Sequence, residues 1–330
     1  MTTELKSYYS LQHSQENFKD WFVVNWCLGN TCSYACSYCP TALHDASRPW
    51  PTPDTIKSFI DKVYDHYSPK KLYFEFTGGE VTMYKNFIDI CKHCYSKGIK
   101  VGLISNASRT LRWWEENKQY FDHVCLSFHS EFADSDHFLD IVKCTHMDLR
   151  THVNIMMHPD KFDTCLEVAK RVVELGNTSL ALQPLIVDFG EELYPYTKEQ
   201  QEIFDNQYKL TQQIKYPKPF PYYRGAMKMI HDDGTSTVQA AHRFIAQKTN
   251  DWSSWNCEIG REQLVVDMDG SVLGGWCRVG GVLGNINDEN FKFPTEPTKC
   301  TKNMCHCNFD IMCTKNKNDI ITLETKSKKL

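Results

Sequence analysis

Short apolar segments alternate with longer amphipathic segments between Trp21 and about Leu210. The apolar segments have strand length and are rich in β-branched and aromatic residues, whereas the others repeat apolar positions at helical spacing. Six strands are predicted, in WFVVNWCL, KLYFEFTGGE, VGLISNAS, HVCLSFHS, HVNIMMHP and SLALQPLIV. Helical connections between successive strands favour a parallel sheet with right-handed crossovers, either doubly wound or closed into a full or partial barrel.

The alternation ends near residue 214, and the chain beyond it has a different pattern. Residues 215–256 are rich in proline and aromatic residues and predict a connecting segment, with one helix expected over 237–248. The stretch REQLVVDMDGSVLGGWCRV then predicts a hairpin around an Asp-Gly turn. The expected organisation is an N-terminal extension over 1–20, a barrel over 21–214, the connecting segment, a cysteine-rich domain over 257–313 and a flexible, lysine-rich tail over 314–330.

Charge and composition exclude several classes of protein. The 330 residues include 37 Lys and Arg against 41 Asp and Glu, so no basic excess favours general binding of nucleic acid. No apolar run is long enough to span a membrane, and the first twenty residues lack the apolar region of a signal peptide. A cytoplasmic location is therefore expected, where thiols stay reduced and the 15 cysteines need an explanation other than disulfides.

Three cysteines follow the first predicted strand at the spacing C-x3-C-x2-C: Cys32, Cys36 and Cys39. One short loop thus offers three thiolates. A structural zinc site needs four ligands, whereas a four-iron cluster can be held by three cysteines with one iron left open. The spacing favours such a cluster, and a zinc knuckle is the alternative. Cys27 lies within the strand and is expected to point into the sheet or the core.

Small and polar residues stand where the next predicted strands end, at the edge of a parallel sheet where ligands bind. Two glycines allow close approach of the backbone, and the glutamate after them offers an anionic acceptor for an ammonium group. These residues are Gly78, Gly79 and Glu80 after the second strand, Ser105 and Asn106 at the third, Ser127 and His129 at the fourth, Asn154 on the fifth and Gln183 on the sixth.

Taken together, the three-cysteine motif with Tyr38 before its last cysteine, the GGE segment and the Ser-Asn pair resemble the radical S-adenosylmethionine (radical SAM) superfamily. The resemblance covers about residues 21–190 and implies an α/β fold, a partial (β/α)6 TIM-like barrel. It also implies a 4Fe-4S cluster on Cys32, Cys36 and Cys39, whose open iron chelates SAM. The SAM contacts that it implies are Tyr38, Gly78, Gly79, Glu80, Ser105, Asn106, Ser127 and His129.

A second group of cysteines lies in the C-terminal part, at Cys257, Cys277, Cys300, Cys305, Cys307 and Cys313. Their order around a hairpin resembles the SPASM or twitch extensions of radical SAM enzymes, although Cys305-x-Cys307 is shorter than the interval in a full SPASM domain. Six cysteines are too few for two fully ligated clusters, so one auxiliary 4Fe-4S cluster is expected. Its ligands are expected to be Cys257 and Cys277 with two of Cys305, Cys307 and Cys313, and Cys300 is the weakest candidate. A structural zinc ribbon is the alternative.

The resemblance implies an oxidoreductase-type radical SAM enzyme. Such an enzyme reductively cleaves SAM to a 5'-deoxyadenosyl radical, which abstracts a hydrogen atom from a peptide, protein, small-molecule or nucleotide-derived substrate. An electron donor such as flavodoxin or ferredoxin is the expected partner. Two alternatives stay open: an activase that installs a glycyl radical on a partner enzyme, and a non-catalytic scaffold that binds zinc at both cysteine groups.

Overall fold

A computed structural model describes residues 6–187, 192–211 and 226–317 of the chain. The strands are β1 Tyr8–His13, β2 Trp21–Cys27, β3 Lys71–Thr77, β4 Lys100–Ser105, β5 His123–His129, β6 Arg150–Met157, β7 Thr178–Pro184, β8 Ala226–His231, β9 Ser236–Ala240, β10 Asn256–Cys257, β11 Gln263–Val266, β12 Ser271–Leu273, β13 Val282–Asn285, β14 Thr298–Lys299 and β15 Lys315–Asn316. The helices are α1 Pro53–Tyr67, α2 Phe87–Ser96, α3 Leu111–Asn117, α4 Ser135–Thr145, α5 Phe162–Leu175, α6 Lys198–Asp205, α7 Tyr208–Thr211, α8 Ala241–Ala246 and α9 Asn308–Ile311.

The described residues divide into two compact units. One unit, called here the barrel unit, contains residues 26–60, 73–187 and 192–211. The other, called the sheet unit, contains residues 6–25, 61–72 and 226–317. The predicted domain boundaries stay predictions.

In the barrel unit the strands β3 to β7 lie side by side in chain order, and the end of β2 at residues 26–27 precedes them in the sheet. The pairs from β3 to β7 are parallel, with helices between them. Among the described residues β7 is at an edge of the sheet, so the sheet does not close on itself. The predicted α/β fold with a parallel sheet and a partial (β/α)6 barrel is confirmed.

Helix α5 shows why the amphipathic segments form helices that cover this sheet. Its buried residues recur at three- and four-residue spacing, so one stripe of the helix packs inward. The helix ends at Leu175 and is followed by Gly176, whose positive φ of 66° suits a residue without a Cβ. Buried aromatic side chains fill the core of the unit, among them Trp26, Phe74 and Phe128.

The sheet unit contains an antiparallel sheet in the order β14-β10-β15-β1-β8-β9. Strands β11, β12 and β13 form an antiparallel meander, and β11 lies next to β2. The hairpin predicted around the Asp-Gly turn is confirmed, because β11 and β12 flank a turn in which Gly270 has a φ of 79°. The core contains Leu11, Met227, Trp252 and Ile311.

Two predictions about this region are wrong in detail. Residues 226–240 form the hairpin β8–β9 inside the predicted connecting segment, and the helix predicted over 237–248 is shortened to α8. The alternating burial of β8 and the β-branched pair Thr237 and Val238 explain the strands. Residues 8–13 and 315–316, which fall in the predicted extension and tail, pair with each other as β1 and β15. The rest of the predicted tail, 318–330, lies outside the described residues.

No helix in the described ranges has both the length and the apolar composition needed to cross a lipid bilayer.

Candidate functional site

The loop that carries Cys32 leaves β2 and stays paired with the segment that leaves β3. The Leu28 amide donates to the Thr77 carbonyl at 2.9 Å. The Gly79 amide then donates to the Gly29 carbonyl at 2.9 Å, and the Glu80 amide donates to the Thr31 carbonyl at 2.8 Å. The GGE segment therefore fixes the backbone of the cysteine loop up to the residue before Cys32.

Both glycines of this segment are required by the contact. A Cβ on Gly78 would lie 2.3 Å from the Gly29 carbonyl oxygen, and Gly78 also has a φ of 136°. A Cβ on Gly79 would lie 2.2 Å from the Thr31 carbonyl oxygen. The two glycines thus allow the GGE segment to lie close to the backbone of the cysteine loop.

Glu80 is fully buried and joins the ends of β3 and β4. Its carboxylate accepts hydrogen bonds from the Thr82 hydroxyl at 2.6 Å, the Ser105 hydroxyl at 3.0 Å and the Asn106 amide at 2.6 Å. Burial raises the pKa of Glu80, while these donors act in the opposite direction. The buried carboxylate thus connects the segments that follow β3 and β4. Its predicted contact with the amino group of SAM stays a prediction.

Asn106 extends this network to the cysteine loop. Its Nδ2 atom donates to the Ser33 hydroxyl at 3.0 Å and lies 3.7 Å from the Cys32 Sγ atom. Ser105 and Asn106 are both buried. The Ser-Asn pair predicted at the end of the third strand therefore lies beside the first cysteine of the motif.

Tyr38 and His129 form a second pair at the cysteine loop, beside Cys36. The Tyr38 hydroxyl lies 2.6 Å from His129 Nδ1, and the Cys36 Sγ atom lies 3.5 Å from the same nitrogen. Burial lowers the pKa of His129 to about 4, so the imidazole is neutral at pH 7. Burial also raises the pKa of Tyr38, so its hydroxyl stays protonated, and the tautomer of the His129 ring sets which of the two groups donates.

The three thiols have the chemistry of a cluster donor set. Burial raises the pKa of Cys32 and Cys39, and raises that of Cys36 to about 12; the charges of Glu131, Cys32 and Cys39 add to the effect at Cys36. Three soft donors on one loop, close enough to influence one another's ionisation, suit the binding of an iron-sulfur cluster, which replaces their protons.

A row of polar side chains lines the adjoining strands of the barrel unit. Asn154 Oδ1 accepts from Gln183 Nε2 at 3.0 Å and lies 3.0 Å from His152 Nε2. Ser127 is buried on β5 in register with Asn154 on β6. The structure thus brings Asn154 and Gln183 together as predicted for one sheet edge, and adds His152, which the sequence patterns had not distinguished.

The C-terminal cysteines converge within the sheet unit. One cavity is lined by Cys257, Cys277, Cys300 and Cys305. Cys313 is fully buried and packs against Cys257. A hydrogen bond with Cys313 lowers the pKa of Cys257 to about 7, whereas burial and the charge of Asp310 raise that of Cys277 to about 12.

Cys307 occupies a different position among the described residues. It is the N-cap residue of α9 and is not among the residues that line this cavity. Within the described ranges, no three His, Cys, Asp or Glu side chains are close enough to hold a single metal ion.

Two charged residues of this region are missing from the sequence-based prediction. Asp310 is buried and accepts from the amides of Trp276 at 3.1 Å and Cys277 at 2.6 Å. Lys315 is buried beside the cysteines and lines the same cavity. The position of Asp310 between Cys307 and Cys313 is a sequence signal that could have identified it. Nothing in the sequence distinguishes Lys315 from the other lysines of the predicted tail.

Comparisons with known proteins agree with this geometry. The family model described as "Radical SAM superfamily" matches residues 26–183. The fold is similar to Streptococcus suis SuiB bound to S-adenosylmethionine, with a TM-score of 0.53, 13% sequence identity and coverage of 82% of this chain and 64% of that one. SuiB bound to the precursor peptide SuiA gives a TM-score of 0.53, 12% identity and coverage of 82% and 63%. The chain therefore spans less than two thirds of SuiB. A search of curated proteins found no significant match.

Proposed function

We propose that the chain, of which residues 26–183 match the radical SAM family model, is a radical SAM enzyme that reductively cleaves SAM and abstracts a hydrogen atom from a substrate. Members of the superfamily are enzymes. The observation that supports this most directly is the cysteine loop, in which Cys32, Cys36 and Cys39 follow a backbone segment fixed by Gly79 and Glu80. When bound to these thiols, a 4Fe-4S cluster supplies the electron for cleavage of SAM to a 5'-deoxyadenosyl radical.

The residues of the chain position these groups and exclude water from them. Glu80 holds Ser105 and Asn106 against the cysteine loop, and Tyr38 holds His129 beside Cys36. We propose the predicted SAM contacts as a set around this loop: Tyr38, Gly78, Gly79, Glu80, Ser105, Asn106, Ser127 and His129. The buried positions of most of these residues support a site that shields a reactive intermediate from solvent.

We further propose one auxiliary 4Fe-4S cluster, in a twitch-like arrangement, on Cys257, Cys277, Cys305 and Cys313. Cys257, Cys277 and Cys305 line one cavity. Cys313 packs in one cluster with Cys257 and Cys277, and this grouping supports the set. Cys307 and Cys300 stay as alternative ligands. Two clusters in one chain need an external electron donor, for which we propose a flavodoxin or ferredoxin in the cytoplasm.

A peptide is the substrate class that we propose, with a small molecule as the alternative. SuiB, whose fold this chain shares, has been solved with the precursor peptide SuiA. The polar row of Asn154, Gln183 and His152 offers amide and imidazole groups that suit the hydrogen bonds of a peptide backbone. The reaction class that follows is oxidative modification of that peptide.

The proposal is tested by anaerobic reconstitution with iron and sulfide, followed by a count of both and by a dithionite assay for 5'-deoxyadenosine. We expect about eight irons per chain and formation of 5'-deoxyadenosine from SAM. About four irons with 5'-deoxyadenosine would retain the enzyme and remove the auxiliary cluster. Zinc in place of iron, without 5'-deoxyadenosine, would leave a zinc-binding scaffold and refute the proposed activity.

A further inference from the structure

Lys315 is a buried lysine at the C-terminal cysteine site. It is 2% exposed, although lysine is almost never fully buried without a partner. Its strand β15 lies between β1 and β10, where Lys315 pairs with Leu11 on one side and with Cys257 on the other. The sheet therefore holds this side chain within the site.

The hydrogen bonds of Lys315 identify its protonation state. The Nζ atom donates to the carbonyl oxygens of Asp310 at 2.7 Å, Ile311 at 3.0 Å and Cys313 at 2.9 Å. Three acceptors require three N–H donors, which only the ammonium form of lysine has. Nζ also lies 5.0 Å from the centre of the Trp252 ring, a further contact that suits a cation.

The negative charge that balances this cation comes from several neighbours. Lys315 lines one cavity together with Cys257, Cys277, Cys305 and Asp310. The Asp310 carboxylate already accepts hydrogen bonds from two amides and from Gln263 Nε2 at 3.0 Å. A buried charge is costly unless it is paired, so the lysine suits a site whose cysteines bind as thiolates.

We propose that Lys315 is the counter-charge of an anionic metal–thiolate cluster bound by Cys257, Cys277, Cys305 and Cys313, and that it raises the reduction potential of this cluster. The inference rests on the auxiliary cluster proposed above. Four thiolates around a 4Fe-4S core leave a net negative charge that grows by one on reduction, so a fixed cation stabilises the reduced form more than the oxidised form. Lys315 is a positioning residue here, because it also holds the carbonyls of residues 310–313.

The test isolates the auxiliary cluster in a protein in which Cys32, Cys36 and Cys39 are all replaced by alanine. Iron and sulfide are counted, and the midpoint potential is measured by a redox titration followed by electron paramagnetic resonance. Lys315→Met removes the charge, and Lys315→Gln is a second neutral variant that retains an N–H donor. Lys317→Met is the matched control, because Lys317 is exposed and contacts the Trp255 ring.

We expect each neutral variant at position 315 to raise the ratio of oxidised to reduced cluster about tenfold at a fixed potential, which corresponds to a shift of about 59 mV to more negative values. The control is expected to retain the parent potential. An unchanged potential in a neutral variant that binds iron overturns the role of Lys315, as does an equal shift in Lys317→Met. A parent protein that binds no iron, or binds zinc, overturns the auxiliary cluster and with it this inference.

Discussion

The two cysteine sites are built in different ways. At the first site, three cysteines within eight residues share one loop, which backbone hydrogen bonds from Gly79 and Glu80 hold in place. At the second site, the cysteines come from segments up to 56 residues apart, and buried side chains such as Asp310 and Lys315 hold those segments. The first site depends on backbone geometry, and the second depends on charged side chains brought together by the tertiary fold.

The largest expected effect is the loss of activity at the first cysteine site without a change at the second. Replacing Cys32, Cys36 and Cys39 together by alanine should abolish formation of 5'-deoxyadenosine, because no thiolates remain to hold the first cluster. The C-terminal site should keep the iron of the proposed auxiliary cluster, since none of the proposed ligands is changed. Iron analysis and the dithionite assay measure both effects. Survival of SAM cleavage in this variant would contradict the assignment of the site.

A single methyl group is expected to disturb the first site strongly. In Gly79→Ala the new Cβ would lie 2.2 Å from the Thr31 carbonyl oxygen, so the cysteine loop has to move. We expect the free energy of unfolding of the barrel unit to fall by about 3 kcal/mol, with loss of iron at the first site alone. The control Gly281→Ala meets no atom within 4 Å, and its strain comes from a φ of 74°, with an expected cost of about 1 kcal/mol. Equal effects of the two variants, measured by urea unfolding, would refute the packing argument.

The corresponding change at the second site alters one side chain. In Asp310→Asn an amide NH2 faces the Cys277 amide, which then lacks its acceptor. An unsatisfied buried donor should lower the free energy of unfolding of the sheet unit by about 2 kcal/mol. The C-terminal site should lose iron while SAM cleavage at the first site persists. The exposed Asp20→Asn is the control, and an equal loss of iron in it would show that Asp310 has no specific role.

The smallest expected effect depends on pH. The Glu262 carboxylate lies 3.1 Å from His13 Nε2 and accepts from the Thr314 amide at 2.8 Å. Burial alone would raise the pKa of Glu262, but these partners outweigh it and lower the pKa below its ordinary value. The carboxylate therefore stabilises the fold above its ordinary pKa, and that stability is lost as the pH falls through the lowered value.

Glu262→Gln should accordingly reduce the free energy of unfolding by about 1 kcal/mol at pH 7. The difference from the parent protein should vanish in acid, where the glutamate of the parent is protonated as well. Urea unfolding at pH 7 and at a series of lower pH values provides the comparison. The exposed Glu289→Gln serves as control, and a difference that is the same at all of these pH values would exclude ionisation as its cause.

The sequence predicts the barrel unit well because its signals are local. Strand and helix periodicity, the three-cysteine spacing and the Gly-Gly-Glu segment each lie within a few residues, and the parallel order of the strands follows from the helical connections. The pairing of Tyr38 with His129 is harder to predict, because 91 residues separate them and only folding brings their side chains within 2.6 Å.

The sheet unit is less predictable for the same reason. Strand β15 has two residues and β10 has two, too few for a periodic pattern, and each is defined by its neighbours in the sheet. Lys315 has the same local sequence context as the exposed lysines near it, so its burial is a property of the strands on either side. The position of Cys257 beside Lys315 depends on the same long-range pairing.

The pairing of β1 with β15 has a consequence for the order of events during synthesis. Ser10 and Asn316 are 306 positions apart, so this part of the sheet cannot form until the ribosome has added those residues and β15 has left it. At translation rates of about 5 to 20 residues per second, the wait lasts roughly 15 to 60 s. The segments of the barrel unit are complete earlier in translation. The residues of the proposed first cluster site can thus be in place while the second cysteine site is still incomplete.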